Sequence, residues 1–511
     1  MKRIFLFFFL TLFGVSAQAE ADNDSTIYVA IYVIAEIEFA IDGRSRPFAL
    51  MNHGEFIKGR RISGSDNLQA YLALKRQLLL NQRILETVDI EYVLGEAQED
   101  GAIPVSLLVR VQDARNLIIL PAPQYSTSDG LSLGLWLRDY NFLGSMSALG
   151  ADFNYRQRGN DRSFNFSIES NTPFYAAGLT WSVLFNHYFD HTVGLPFFYH
   201  NITGIAVQLP WRTTTFTVGL HQHLVFNEEP GPESALIYGI TDTYRPYGGT
   251  ALFVSHRIPL GQERAAGQLT YTPRISGRIN YPTGDMDEVR TPSVTVSHAL
   301  EFGRVNWVGN YRQGLWASVG NAYTWHFNRT DAPFRIMVDG SITLHQIITD
   351  FLGFSTRLGY RQKWQWSDVM NAGSGGWIPY FDAGNMIRGI PDASLWRNQE
   401  SGLQADRVLS LNVDLPIRVM DFEPSRWLNS QRLRLFDFQM HFSPFMDFAL
   451  LQGPDNDFNL QDMITTAGFE LIFFSGFFRN LQIRASVGYN LDNFRGMARW
   501  DEIFIGTSFH Y

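Results

Sequence analysis

The chain has 511 residues, a formal net charge of −9 and no cysteine. An acidic balance without a clustered basic surface argues against a nucleic-acid partner, and the missing thiols exclude a disulfide scaffold and a thiolate site together. Aromatic residues make up 14 %, with 41 Phe, 21 Tyr and 12 Trp, a richness that suits a membrane β-barrel with aromatic girdles.

Residues 1–19, "MKRIFLFFFLTLFGVSAQA", run from Lys2 and Arg3 through an apolar stretch to Ala17-Gln18-Ala19. That order predicts a secretory signal peptide cleaved before Glu20. The apolar stretch from Ile4 is too short to anchor the chain, since about 20 residues are needed to cross a bilayer as a helix.

Residues 20–115 predict a small α+β domain. Ile31, Val33, Ala35, Ile37, Phe39 and Ile41 alternate with polar neighbours, the mark of a half-buried strand. Ser65-Asp66-Asn67 can cap a helix carrying Leu68, Tyr71, Leu72, Leu78 and Leu79 at helical spacing. Two strands follow, "TVDIEYVL" and "PVSLLVRV", around an acidic turn.

Residues 116–511 change character. From Leu131 the period is two: Leu131, Leu133, Leu135 and Leu137 oppose Ser132, Gly134, Trp136 and Arg138, and the pattern recurs at Leu179–Phe185, Phe334–Leu344 and Leu481–Tyr489. Segments long enough to cross a bilayer at a tilt, oily on one face and polar on the other, predict a transmembrane all-β fold. Twelve strands are readable before a long interruption at about 365–406 and five after it. An antiparallel barrel closes with an even number, so one of the seventeen is surplus, with "ALFVSHRIPL" or a neighbour the suspect, and a 16-stranded antiparallel β-barrel is expected. The terminal "EIFIGTSFHY" reads as a last strand that must pair with the first to leave no open edge in lipid. The expected seam residues are Leu131, Leu133 and Leu135 on one side and Gly506, Phe509 and Tyr511 on the other, Gly506 weakening its strand.

The interruption holds "NMIRGIPD". Together with "PAPQYSTSDGLSLGLWLRDYNFLG", "LLLNQRILETVDIEYVL" and "FIGTSFHY", it resembles the BamA/TamA superfamily of outer-membrane assembly and transport barrels, which carry periplasmic POTRA domains ahead of the barrel. The resemblance covers nearly the whole mature chain and implies a single POTRA-like domain. It also implies that Arg388-Gly389 lies on a loop folded back into the lumen, with Asp447 in "SPFMDFALL" as the arginine's partner. Ile390 stands where the family has Phe or Tyr, Ala449 where its Asp-x-Gly pattern is expected, and Asn412 where many members place a glutamate, leaving Asp414 as the alternative partner. A guanidinium in a narrow lumen favours a carboxylate independently, because the two match through paired hydrogen bonds.

The expected function is insertion, assembly or translocation of proteins at the bacterial outer membrane through a weak seam, with the N-terminal domain in the periplasm. Its partners would be outer-membrane lipids and unfolded outer-membrane or secreted protein clients, with periplasmic chaperones or lipoproteins as accessories. No cofactor, metal or catalytic residue is expected, since the sequence has no Gly-x-Ser-x-Gly elbow. His221 and His223 read as polar lumen lining rather than metal ligands. A passive channel is the alternative, and a barrel lipase a more distant one.

Overall fold

The computed structural model describes residues 30–126, 130–158, 161–193, 197–226, 246–282, 292–327, 334–366, 381–382, 386–388, 404–453, 457–491 and 502–507. The expected signal peptide, Gly389, Phe509 and Tyr511 lie outside these ranges.

The N-terminal domain is one sheet covered by two helices. β1 (Ile31–Asp42) pairs parallel with β4 (Ala102–Asp113), β4 pairs antiparallel with β3 (Leu85–Leu94), and the short β2 (Arg61–Ser63) extends the far edge. The order β2-β1-β4-β3 leaves β3 as an edge strand. Helix α2 (Ser65–Asn81) buries Leu68, Tyr71, Leu72 and Leu79 with Ile34, Leu85, Val105 and Val109 of the sheet. The expected cap is corrected: Gly64, at φ 86, is the N-cap, no side chain caps the helix, and Ser65 already lies inside it. Helix α1 (Pro47–His53) is too short to show a period in sequence; Pro47 starts it where a missing N–H costs nothing.

From Leu117 onward the strands close into one antiparallel barrel, apart from the short separate pair Phe381–Asp382 and Gln404–Ala405. The expected sixteen is corrected to eighteen among the described residues, taking Arg407–Asp414 and Ile417–Phe422 as one strand broken at Leu415-Pro416. Nothing was surplus; a strand was missing. "ALFVSHRIPL" lies within Tyr247–Arg264, a strand paired on both sides. The unread strand is β5 (Leu117–Ser126), "LIILPAPQYS", whose two prolines disguise it. It precedes β6 (Gly130–Asp139), so Leu131, Leu133 and Leu135 belong to the second barrel strand and not to the seam.

Alternation sorts the side chains. Leu131, Leu133 and Leu135 face outward and are exposed, as are Leu252, Ile275, Ile279 and Val319, whereas Ser132, Asn280 and Thr324 are buried inside. An apolar outer wall around a polar interior suits a surface bathed in lipid. No helix among the described residues is long and apolar enough to cross a membrane.

The N-terminal domain lies across one end of the barrel, fastened at several turns. Arg44 pairs with Asp139 at 3.0 Å, and Asn141 donates to Ser45 Oγ and to Asp113. The fully buried Lys75 of α2 meets Glu263 at 3.1 Å, and Arg60 and Arg304 share that carboxylate. At a third point Arg83 stacks on Trp307, donates to the Arg479 carbonyl at 2.6 Å and to Asn310 at 2.9 Å, while Arg312 covers Trp307 as well.

Candidate functional site

Two features stand apart from an ordinary closed barrel: the junction of its first and last strands, and a loop held in its lumen.

The terminal strand Glu502–Thr507 meets β5 through two registered pairs among the described residues, Phe504 with Ser126 and Ile505 with Tyr125. By comparison, β5 and β6 share an unbroken register from Leu117 opposite Asp139 to Ser126 opposite Gly130. By the same register Gly506 and Thr507 stand opposite Gln124 and Pro123 without pairing to them, and the chemistry of β5 bears on this. Tyr140 N–H donates to the Asn116 carbonyl at 2.9 Å, and that pair continues the β5–β6 register. In an antiparallel ladder hydrogen-bonded and non-bonded pairs alternate. Ile118, Leu120, Ala122 and Gln124 therefore bond to β6, and Leu117, Ile119, Pro121, Pro123 and Tyr125 turn their backbone groups toward the terminal strand. Pro121 and Pro123 have no N–H to offer. In the observed register Pro123 would face Thr507, whose carbonyl can receive nothing from it. Gly506, opposite Arg484 on the neighbouring strand, weakens the same segment.

The second feature is the loop segment Met386–Arg388, held against the inner wall. Arg388 donates from its backbone N–H and its Nε to Asp447 Oδ2, both at 2.9 Å, and from Nη2 to Asp447 Oδ1 at 2.6 Å. Its Nη1 donates to Asp414 and lies 3.5 Å from Glu470, which in turn pairs with Arg484 at 3.4 Å. Asp447 is fully buried, and the guanidinium lies over the Phe445 ring at 3.9 Å. Charge alone does not hold the segment. Ile387 is buried with Val408, Ala449, Leu451 and Ile464, and Asn412 donates to the Met386 carbonyl at 3.1 Å. Two glycines make room: a Cβ at Gly359 would sit 3.1 Å from the Met386 methyl, and one at Gly468 would meet the Phe445 ring at 2.6 Å.

The structure thus brings together Arg388, Asp447 and Asp414, the three charged residues singled out in sequence. Asn412, a departure from the resembled motif, contributes a hydrogen bond in place of a charge. Glu470 was not singled out, although "GFELIFF" carries a signal: an acid in the middle of an outward-oily strand has only the lumen to face. His221 and His223 occupy inward positions of Thr214–Phe226, and no group of three metal-binding side chains occurs among the described residues.

Between Met386–Arg388 and the N-terminal domain lies a chamber of about 940 Å³, lined by Leu78 and Asn81 of α2 and Gln82 at its end, by Met386–Arg388, and by wall residues including Arg304, Trp316 and Arg357.

No family model matches the sequence, and no curated protein does. Among solved structures the chain is similar to CdiB from Acinetobacter baumannii at 12% identity, covering 93% of this chain and 74% of that one with a TM-score of 0.49. It is similar to CdiB from Escherichia coli at 9% identity, covering 96% and 92% with a TM-score of 0.42. A third likeness is to BamA from Haemophilus ducreyi lacking POTRA domains 1–3, at 13% identity over 93% and 84% with a TM-score of 0.36. Likenesses at this level carry no functional weight; the seam and the loop of this chain do.

Proposed function

We propose that the chain is a bacterial outer-membrane barrel of BamA/TamA type that inserts or translocates client proteins by parting its seam, with a POTRA-like domain in the periplasm. The observation that carries this is the seam itself: two registered pairs among the described residues, bordered by two prolines that turn their missing donors toward it. Each net backbone bond contributes about 0.5–1.5 kcal/mol in water and more in hydrocarbon, so a junction stripped of a few bonds opens at small cost. A parted β5 would present an edge to which a client strand adds. The free edge of β3, with Tyr92, Val93 and Leu94 exposed, would hold the client beforehand. In this reading client folding supplies the driving force, and no cofactor or catalytic residue takes part.

The channel reading is less favoured, because the N-terminal domain lies across one end of the lumen and Met386–Arg388 is pinned to its inner wall. The decisive experiment uses the absence of native cysteine. Ser126→Cys with Phe504→Cys places thiols on directly opposed residues, at a Cα spacing of roughly 4.5 Å that a disulfide accepts. In vesicles, the oxidised protein should fail to insert an unfolded barrel client and recover on reduction. Full activity while stapled would refute the seam mechanism.

A further inference from the structure

We propose that the excursion from Glu423 to Asp437 is a lipid-binding collar, which seats an apolar rim in the leaflet on the N-terminal-domain side and sets arginines among its anionic headgroups. The proposal rests on the reading of the barrel as membrane-spanning. Several turns at this end are tight, as at Gly309-Asn310; here, as around Phe142–Gly144, the chain makes a longer excursion, with a short helix, Pro424–Trp427, and a 3₁₀ turn, Gln431–Phe436. The excursion is tied at its base: Ser425 donates to Asp437 from its backbone N–H at 3.0 Å and from its hydroxyl, and the Asp437 carbonyl accepts from Gly476 N–H at 2.7 Å.

This fixed segment nevertheless leaves large apolar side chains uncovered: Trp427 at 62% exposure, Leu428 at 69%, Leu435 at 54% and Phe436 at 58%. Their neighbours identify the occupant. Trp427 meets Phe422 with ring centroids 5.1 Å apart, Phe422 meets Phe438 at 5.3 Å, and Phe438 meets Phe473 at 6.0 Å. In the strand Phe438–Gln452, His441, Ser443 and Asp447 are buried inward, so Phe438 and Met446 belong to the outer wall. The rim is therefore continuous with the lipid-facing surface. Tryptophan at such a level is the usual anchor between acyl chains and headgroups.

Charge fits the same occupant. Arg434 turns inward to Glu86 of the N-terminal domain. Arg432 is exposed, and Arg426 is highly exposed beside Glu423 at 3.3 Å. Long cationic side chains beside a buried apolar rim reach the phosphate plane by extending away from it.

The test uses full-length protein in vesicles of phosphatidylethanolamine and phosphatidylglycerol, with Leu435→Cys carrying an environment-sensitive dye. Leu252→Cys, on the outer wall far from the excursion, serves as the control. Nitroxide near the top of the acyl chain should quench the Leu435 dye at least twofold more than aqueous iodide does. Arg426→Glu with Arg432→Glu should lower quenching by headgroup-labelled phosphatidylglycerol about twofold. If the Leu252 dye is quenched from lipid and the Leu435 dye stays open to iodide, or is shielded from both quenchers, the collar is overturned and the barrel stands. If the Leu252 dye also escapes lipid quenching, the membrane reading falls with it.

Discussion

Arg388 and Asp447 meet three times: backbone N–H and Nε share one carboxylate oxygen at 2.9 Å, and Nη2 takes the other at 2.6 Å. The contact fixes main chain and side chain together, so it sets the path of the loop as well as neutralising a buried acid.

Arg388→Ala should release the segment. Asp447 would remain fully buried beside Asp414 and Glu470 with its cation gone, and breaking a buried pair on one side costs about 3–5 kcal/mol. Loop detachment is the cheaper escape, so local exposure should change more than global stability. In an Ile387→Cys background, where the residue is otherwise buried, maleimide labelling should accelerate by more than about tenfold, the factor that corresponds to 1.4 kcal/mol. Arg388→Lys should behave nearly as badly, because an ammonium cannot reproduce the planar fork. The swap Arg388→Asp with Asp447→Arg should restore protection only in part, since Asp414 and Glu470 would still surround the new aspartate. Unchanged labelling in Arg388→Ala would show that Ile387 holds the loop alone.

Gly468 supports the same latch from behind. It stands directly opposite Phe445, and a Cβ there would lie 2.0 Å from the Val487 carbonyl oxygen as well as against the ring. Gly468→Ala should therefore cost about 1–3 kcal/mol in overpacking strain, seen as a lower unfolding temperature in detergent, and should also speed labelling at position 387. Phe445→Leu should raise the labelling rate with a smaller loss of stability, because it removes the surface under the guanidinium without straining a strand. An alanine variant that melts like the parent would contradict the packing described.

Pro123 offers a test of the seam that adds one bond instead of a covalent staple. Pro123→Val supplies an N–H aimed at Thr507, worth about 0.5–1.5 kcal/mol net, and should slow amide exchange in Glu502–Thr507 while reducing client insertion. If exchange slows in β6 instead, the phase assigned to β5 is wrong.

The prolines also explain what the sequence hid. Period-two alternation is legible wherever a strand has lipid on one side and water on the other, as at Leu131–Leu137, because burial enforces it residue by residue. In "LIILPAPQYS" two prolines argue against a paired central strand, and they are tolerated because they turn away from β6 toward the junction with the terminal strand. The feature that disguised β5 is thus the feature that weakens the seam, and the even-number rule then pointed to a surplus strand where one was absent. Arg388 and its two aspartates were readable through the resemblance to the family's loop motif, which the need of an arginine in a closed interior for acids supports. Glu470 required knowing which strand lies beside Phe438–Gln452, and the docking of Lys75 on Glu263 joins residues too distant in sequence for any local pattern to connect.

That docking should respond to pH through Glu55. Burial raises the Glu55 carboxyl above its usual range, and the neighbouring Glu263 raises it further, against smaller opposite effects of Lys75 and Arg257. Lys75 is itself lowered by burial, an effect that the attraction of Glu263 and Glu55 only partly offsets, and Arg60 adds to the lowering. A raised carboxyl means that the docked state holds its proton more tightly than the free one. The contribution of Glu55 is then fully present below its usual pKa of 4.5 and is lost as pH rises through the docked value. Mild acidification should tighten the domain on the barrel, and Glu55→Gln should tighten it at neutral pH while flattening the dependence. Spin labels at Val93→Cys and Ala265→Cys, on the exposed end of β3 and the turn after Glu263, report the separation directly. The parent should show a broader distance distribution at pH 8 than at pH 5, and the Glu55→Gln protein a narrow one at both. The opposite order in the parent would mean that Arg257 and Lys75 outweigh burial, and that the carboxylate binds the domain in its charged form.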